Sequence, residues 1–187
     1  MDIFTDPPDF PVRTMAEWEE IQALTIAWEG FEPILTEIVR NSVDECKVII
    51  ACDNPSQVSS YLLSNNVNTD NVEYLDVNTN SIWMRDYGGN TVYKDYVDSL
   101  ILVDWIYNRS RPLDNASPAA IGNFKGIPVY EMSQAGSDLV HTGGKFMADG
   151  FGTGFSSELV DYENSSAGNY NLTNKTPQEV DQLMLDW

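Results

Sequence analysis

The sequence predicts a mixed α+β fold built from repeated ββαβ-like units. Candidate helices and strands alternate along the chain, but the strands come in tight clusters between the helices, which favours such units over a doubly wound sheet. The run at residues 47–52 is apolar almost throughout, as in a strand that is buried on both faces. With 187 residues, 42% of them hydrophobic, the chain is long enough for one domain with its own core.

Two helices flank this first strong strand. An apolar stripe at helical spacing, opened by Pro33, predicts a helix at residues 33–46. The strand at 47–52 then ends at the turn sequence Asp-Asn-Pro. Within that turn, Asn54 is placed to cap a second helix whose first turn contains Pro55. The order of helix, strand and helix agrees with the predicted alternation.

Further strands are predicted through the middle of the chain. Residues 71–77 and 81–84 form two strand-like runs, and residues 99–105 have the strongest strand pattern of the sequence. Three short strands, separated by glycine-rich turns, are expected near 127–131, 138–141 and 146–155.

The chain ends in an amphipathic helix with a strong start signal. Residues 176–179, Thr-Pro-Gln-Glu, form a capping box with proline at the first helical position. Its apolar side would contain Val180, Leu183, Met184 and Trp187. Because no residue that closes a helix follows, we expect residues 1–187 to be a single domain truncated at its C-terminus. The alternative is a helix that docks its end against the body of the protein.

Composition excludes several classes of partner. Ten basic and 29 acidic residues give a formal net charge of −19, which repels nucleic acid and anionic membranes and attracts cationic small molecules or basic peptides. Acidity that serves solubility alone is the alternative. No apolar run is long enough to cross a membrane, and the N-terminus lacks a secretory signal. Cys46 and Cys52 are expected to be reduced structural thiols, so a soluble cytoplasmic protein is favoured over a secreted one, while compartment and oligomeric state stay open.

Residues 83–88, Trp-Met-Arg-Asp-Tyr-Gly, are the most informative motif. The pair Arg85-Asp86 would follow a strand and precede the turn at Gly88-Gly89. A carboxylate that a rigid strand carries into a glycine-marked turn opens onto a cleft, where it can bind a cationic ligand. The alternative is an ordinary surface ion pair at the end of a strand.

Two further clusters contain charged side chains suited to a binding site. Arg109 and Arg111, two residues apart in an extended segment, would point the same way and bind a carboxylate or phosphate with forked donors. Asp149 is framed by glycines, which allow close approach of the backbone. A solvent-facing arginine pair and a bulged hairpin with a turn aspartate are the alternatives. Together with Asp86, these side chains would suit an arginine-like molecule with a guanidinium at one end and a carboxylate at the other.

Four segments in the same order resemble motifs of bacterial, Porphyromonas-type peptidylarginine deiminases and the related agmatine deiminases. They are residues 15–19 with 24–28, then 83–88, 108–112 and 143–150. The resemblance covers nearly the whole chain, but only the N-terminal half of the family's catalytic domain. It implies a pentein fold, an α/β propeller of five ββαβ units around a central site, of which this chain would form about two to three.

The resemblance also implies a reaction, the hydrolysis of a guanidinium group to a ureido group with loss of ammonia, and it implies no cofactor and no metal. In that scheme a cysteine thiolate attacks the guanidinium carbon, a histidine moves protons and water opens the covalent intermediate. The product would be citrulline, or carbamoyl-putrescine on the route to putrescine. By motif, the catalytic residues would be Asp86 and Asp149. The substrate-binding residues would be Trp83, Arg85, Arg109 and Arg111.

Each of these residues has an implied role. Asp86 would bind the guanidinium, Arg109 and Arg111 would hold a substrate carboxylate, and Asp149 would line the site. The partner would therefore be a small molecule or a peptide that carries a guanidinium. Peptidylarginine and agmatine both stay open as substrates, although the two arginines favour one with a carboxylate.

The chain departs from the family pattern at several positions. The family's downstream His-x-Asp motif and late cysteine nucleophile are absent from the sequence. His141 is expected to be a structural strand residue, and Cys52 to be unreactive because no basic partner accompanies it. Lys145 stands where the family usually has asparagine, and it would repel a guanidinium if it pointed inward. Ser110 and Asn115 replace the usual proline and aspartate.

Three hypotheses follow for the function. The first is the N-terminal part of a guanidino-group deiminase that is inactive alone. The second is a non-catalytic module that binds arginine-like ligands without turning them over. The third is an acidic interaction domain unrelated to that family.

Overall fold

The computed structural model describes residues 2–170 and 172–187. The strands in this part of the chain are β1 (Ile3–Phe4), β2 (Val12–Thr14), β3 (Ala23–Ala27), β4 (Lys47–Cys52), β5 (Val72–Asp76), β6 (Asn90–Lys94), β7 (Ser99–Asp104), β8 (Ile106–Tyr107), β9 (Val129–Glu131), β10 (Val140–His141), β11 (Phe146–Ala148) and β12 (Gly154–Ser156). The helices are α1 (Glu32–Ser42), α2 (Pro55–Ser64), α3 (Met84–Tyr87), α4 (Pro112–Asn115), α5 (Ser117–Lys125), α6 (Leu159–Asn164) and α7 (Pro177–Asp186). A 3₁₀ turn lies at Gly143–Lys145. None of the described helices is both long enough and apolar enough to cross a membrane.

The strands form two larger sheets and two small pairs. Strands β3, β4 and β5 make a parallel sheet in that order. The other large sheet has the order β1-β9-β7-β6-β2, in which β2, β6 and β7 are antiparallel neighbours and β7, β9 and β1 are parallel. Strands β8 and β10 pair in parallel, and β11 and β12 form an antiparallel hairpin. This is the predicted mixed fold, with strand clusters joined by helices.

The apolar run at Lys47–Cys52 forms the buried strand that the sequence predicts. Val48 and Ile50 face a cluster shared with α1 and α2, whereas Ile49 and Ala51 face a second cluster on the opposite side of the sheet. Because both faces are covered, the strand needs no alternation of polar and apolar residues.

Three apolar clusters form the core. The first lies between the β3-β4-β5 sheet and helices α1 and α2. The second contains side chains of both large sheets together with α3 and α5. The third lies on the other face of the five-stranded sheet, where α6 and α7 pack. The second cluster positions α3, which carries the motif that the sequence singles out.

The predicted helix starts are confirmed at α2 and α7. The side chain of Asn54 accepts a hydrogen bond from the backbone N–H of Gln57 at 3.1 Å, with Pro55 in the first turn. Thr176 and Glu179 form the complete capping box at the start of α7. Helix α1 ends at Ser42, a few residues before the predicted end.

The strand predicted at 81–84 is wrong. Residues 81–83 form a loop, and Met84–Tyr87 form the single helical turn α3. The buried side chain of Asp114 accepts hydrogen bonds from the backbone N–H groups of Asn80 and Ser81. These N–H groups are therefore not available to pair with a neighbouring strand. Met84 and Tyr87, the first and last residues of α3, are both buried in the second cluster. Residues three positions apart lie on the same side of a helix, so a helical turn suits this pair. Asp86 is therefore carried by a helical turn and not by a strand.

The last helix docks against the body of the protein. Val180 and Trp187 are buried in the third cluster, and Leu183 and Met184 pack against it. The apolar side of α7 is thus covered, which is the docked alternative of the sequence analysis. Before α7, Lys175 forms a buried ion pair with Asp138 at 2.8 Å.

Candidate functional site

Two glycines bring the α3 turn into contact with the 3₁₀ turn at Gly143–Lys145. A Cβ on Gly143 would overlap the carbonyl oxygen of Arg85, and a Cβ on Gly144 would overlap Oδ1 of Asp86. Any larger residue would push the two turns apart. The Asp86 carboxylate consequently lies directly against the backbone of Gly144.

The Asp86 carboxylate is half-buried. Within the described part of the chain, no donor makes a hydrogen bond to its oxygens. Burial raises the pKa of the Tyr107 hydroxyl, and the negative charge of Asp86 raises it further. An acceptor without a donor is suited to a cationic group with several N–H donors.

The two arginines have different surroundings. Arg111 is half-buried, and its Nη1 donates to Ser81 Oγ and to Tyr107 Oη, each at 3.2 Å. Arg109 is exposed in the bend at 108–110, where its positive charge acts on Tyr170. Residues 108–110 form a bend, so the extended segment on which the expectation of a shared direction depended is not present.

Arg85 pairs away from its neighbour Asp86. Its guanidinium forms an ion pair with Glu17 and donates to the carbonyl oxygen of Phe146 at 3.5 Å. Adjacent residues on a helical turn do not face each other, which explains why Arg85 and Asp86 stay apart. Trp83, just before the turn, has 55% of its surface exposed. A cavity of about 50 Å³ beside Arg85 is lined by Thr14, Met15, Glu17, Gly89, Asn90, Gly143, Phe146 and Ala148.

Asp149 lies at the tip of the β11–β12 hairpin and closes its own turn. Its Oδ1 accepts the backbone N–H groups of Phe151 at 2.7 Å and Thr153 at 3.0 Å, which lowers the pKa of Asp149. Trp18 stacks on Phe151 and donates from Nε1 to the Asp149 carbonyl oxygen at 3.3 Å. This geometry matches the hairpin with a turn aspartate that the sequence left as an alternative. No hydrogen bond among the described residues links Asp149 with Asp86.

Lys145 is neutralised by a partner that sequence reasoning missed. Its Nζ lies 2.8 Å from Oε2 of Glu163, and the side chain of Glu163 is only 7% exposed. Asn108 Nδ2 donates to the other oxygen of Glu163 at 2.7 Å. No sequence signal pointed to Glu163, because the helix that carries it shows no motif and the two residues are 18 positions apart.

Asp114 fixes the loop before α3 and was also missed. It is fully buried, and it accepts hydrogen bonds from Asn80 N at 2.6 Å, Ser81 N at 3.2 Å and Ser81 Oγ at 2.7 Å. Tyr87 Oη donates to the carbonyl oxygen of Ser81 at 2.6 Å. At one family departure, Asn115 Oδ1 accepts the backbone N–H of Tyr107 at 2.7 Å, a role that an aspartate would also perform.

His141 and Cys52 are buried structural residues. His141 lies in β10, 1% exposed, with its ring 4.5 Å from that of Trp105, and burial lowers its pKa to about 4. Cys52 is 1% exposed, and burial raises its thiol pKa to about 11. At neutral pH the histidine is uncharged and the cysteine is a thiol, so neither supplies a nucleophile here. The strand position expected for His141 is confirmed.

Comparison with known proteins identifies related sequences and structures. A family model described as Porphyromonas-type peptidyl-arginine deiminase matches residues 13–176. Among solved structures, C. jejuni agmatine deiminase with substrate bound is 20% identical, with a TM-score of 0.73 over 93% of this chain and 52% of that chain. A putative arginine deiminase from Porphyromonas gingivalis is 16% identical, with a TM-score of 0.74 over 93% of this chain and 53% of that chain. A structure described as a putative agmatine deiminase is 17% identical, with a TM-score of 0.79 over 99% of this chain and 54% of that chain.

These likenesses establish the fold. The chain spans about half the length of the structures that it matches. Its strand clusters and helices form part of a pentein-like α/β propeller, and none of the described sheets closes on itself. The fold class predicted from the sequence is therefore confirmed.

Proposed function

The chain belongs to the Porphyromonas-type peptidyl-arginine deiminase family, and from this premise we propose that it provides the guanidinium-binding part of a guanidino-group deiminase. The reaction would be hydrolysis: water supplies the oxygen of the ureido product, and one guanidinium nitrogen leaves as ammonia. The observation that carries the proposal is the Asp86 carboxylate, held against Gly144 with no donor from the described residues on its oxygens.

In this proposal Asp86 binds the substrate guanidinium. A planar guanidinium offers paired N–H donors that match the two oxygens of one carboxylate, and charge-assisted pairs of this kind are stronger than neutral hydrogen bonds. The exposed indole of Trp83, at the start of the same turn, offers a face to the cation. Arg85, paired with Glu17, contributes at the rim.

The remaining site residues take roles according to their surroundings. Arg109 is exposed and acts as the donor for a substrate carboxylate. Arg111 orders the floor of the site through Ser81 and Tyr107, and any contact with the substrate uses its other donors. Asp149 lines the site from its hairpin tip, where Trp18 holds its backbone.

The substrate is a small molecule or a peptide that carries a guanidinium. Agmatine is one candidate, because a structural neighbour is described as an agmatine deiminase with substrate bound. Peptidylarginine or arginine is the other, supported by the exposed guanidinium of Arg109. The corresponding products are carbamoyl-putrescine, a precursor of putrescine, and citrulline.

We further propose that residues 1–187 form one partial deiminase domain that binds without turnover. The buried thiol of Cys52 and the uncharged ring of His141 supply neither the nucleophile nor the proton carrier that the chemistry needs. Those groups would come from outside the described residues. The alternative is a module that only binds arginine-like ligands, and it would also bind without turnover. It differs from the deiminase because no further segment would make it catalytic.

Calorimetry with agmatine and with arginine tests the proposal. We expect the unaltered chain to bind at least one of them, and Asp86→Asn to weaken binding by at least about tenfold, since a charge-assisted pair becomes a neutral one. Asp70→Asn, which makes the same charge change at an exposed turn, should bind like the unaltered chain. Equal affinities for Asp86→Asn and Asp70→Asn would refute the role of Asp86.

A complementation assay separates the deiminase from the binding module. The C-terminal half of a homologous deiminase, with its His-x-Asp motif and cysteine, is added to this chain. Ammonia with citrulline or carbamoyl-putrescine is expected as product, and Asp86→Asn should abolish it. Binding without product in the complemented protein would favour the module.

A further inference from the structure

We propose that Glu163 is a positioning residue that holds the ammonium group of Lys145 away from the Asp86 carboxylate, and so keeps that carboxylate available to a guanidinium. This inference rests on the proposed function of Asp86. It concerns Lys145, which follows Gly144 in the turn that touches Asp86.

The backbone places Lys145 within reach of Asp86. Gly144 touches the Asp86 carboxylate, and Lys145 is the next residue in the same 3₁₀ turn. The turn is closed by a hydrogen bond from Lys145 N to the carbonyl oxygen of Thr142 at 3.0 Å. A lysine side chain is a flexible four-carbon stem with a compact charge at its end. The flexible side chain of Lys145 can thus turn towards the carboxylate, which lies against the residue before it.

Glu163 is fixed where it can prevent this. Its two oxygens are committed to Lys145 Nζ at 2.8 Å and to Asn108 Nδ2 at 2.7 Å. Its neighbour Asn164 is 2% exposed and anchors α6 to β10, because its side chain bonds both backbone groups of Val140 at 2.9 Å. Glu163 consequently sits on a rigid helix and does not follow Lys145 if the lysine turns.

The charge pattern determines where Lys145 would go without Glu163. The Asp86 carboxylate has no donor from the described residues, so a freed ammonium group would find an unpaired anion close by. The resulting pair would occupy the acceptor oxygens that a guanidinium needs. It would also leave a positive charge beside an incoming cation, which repels it at a site partly shielded from water.

The test is a double-mutant cycle on agmatine binding, measured by calorimetry. Glu163→Gln should bind about tenfold more weakly than the unaltered chain, because Lys145 then competes for Asp86. Adding Lys145→Met to Glu163→Gln should restore affinity to within about twofold, and Lys145→Met alone should bind no more weakly than the unaltered chain. Glu158→Gln, an exposed position just before the same helix, is the matched control and should change nothing.

The outcomes distinguish the inference from a structural role. If Glu163→Gln binds like the unaltered chain, or if adding Lys145→Met fails to restore affinity, Glu163 does not act through Lys145. Circular dichroism of each variant checks that the fold is retained.

A ligand-free measurement keeps the inference testable if the unaltered chain binds no agmatine, a result that would count against the proposed function itself. In a crystal structure of Glu163→Gln, Lys145 Nζ should lie within about 4 Å of the Asp86 carboxylate, the distance of an ion pair. A lysine that stays beside residue 163 or points into solvent would overturn the inference.

Discussion

At the scale of single residues, His141 makes stability depend on pH. It is the one histidine of the sequence, and burial lowers its pKa from 6.5 to about 4. Well above pH 6.5 the ring is neutral in both the folded and the unfolded chain. As the pH falls from there towards 4, the unfolded chain binds a proton that the folded chain does not bind. The free energy of unfolding should therefore fall across this window, by up to about 3 kcal/mol.

Two measurements check this expectation. Because there is a single histidine, an NMR titration of its ring gives one resonance, which should stay in the neutral form down to about pH 5. Urea unfolding at about pH 7 and about pH 5 gives the stability difference, and His141→Gln should remove most of it. A histidine that titrates near pH 6.5 in the folded chain would contradict the burial argument.

At the scale of elements, the short helix α3 is positioned by the loop that precedes it. Asp114 is buried and receives three hydrogen bonds from Asn80 and Ser81, which fixes that loop. Asp114→Asn keeps the size of the side chain but replaces one acceptor oxygen by an N–H donor. We expect it to lower the free energy of unfolding by about 2 kcal/mol and to weaken guanidinium binding, because the α3 turn carries Asp86. Chemical denaturation and calorimetry measure the two effects.

Asp98→Asn is the control for this change, since Asp98 is exposed. It should leave both stability and binding as they are in the unaltered chain. If Asp114→Asn lost stability but kept full affinity, the loop would be shown to support the fold and not the site.

Local patterns in the sequence predicted about half of the elements. The apolar run at 47–52 and the strong pattern at 99–105 became β4 and β7, and the cap at Asn54 and the box at Thr176 begin α2 and α7. Each of these signals lies within a few residues of the element that it specifies, so it needs no tertiary information. The strand at 81–84 failed because tertiary contacts decide that segment.

The candidate site was predictable only in part, for the same physical reason. Asp86 stands out by its motif. Glycines were expected to allow close approach of the backbone around Asp149, whereas the structure brings Gly144 against Asp86. The partners Glu163 and Asp114 come from distant parts of the chain, and nothing in their own neighbourhoods marks them. The bend at 108–110 takes the place of the expected extended segment, and no local signal in the sequence marks it.

At the scale of the whole molecule, a buried ion pair ties the segment before α7 to the body. The side chains of Lys175 and Asp138 are 3% and 4% exposed, and their atoms lie 2.8 Å apart. Burial raises the pKa of Asp138, but hydrogen bonds from Lys175, Thr173 and Gly136 outweigh it, so this pKa lies below its ordinary value. Lys175→Met leaves the Asp138 charge buried without its partner, and we expect the free energy of unfolding to fall by about 3–5 kcal/mol.

Urea denaturation, followed by tryptophan fluorescence, measures this loss. Adding Asp138→Asn to Lys175→Met removes the stranded charge and should recover part of the stability. Lys47→Met breaks a more exposed ion pair with Glu73 and serves as the control, with an expected change of at most about 1 kcal/mol. Equal losses from Lys175→Met and Lys47→Met would mean that burial does not strengthen the inner pair.

The net charge of −19 sets the response of the whole molecule to salt. At about 0.01 M salt the screening length is about 30 Å, so the acidic groups repel one another across the fold, whereas at about 0.15 M it is about 8 Å. Raising NaCl between these concentrations should therefore stabilise the chain, by on the order of 1 kcal/mol or about 2–4 °C in melting temperature. The same change should weaken agmatine binding, because the field that attracts a cation is screened while the contact at Asp86 is not removed.

KCl at equal ionic strength should act like NaCl, since screening depends on charge and not on the identity of the ion. A melting temperature that does not change with salt would mean that self-repulsion of the acidic surface is not a significant term in the stability of this fold.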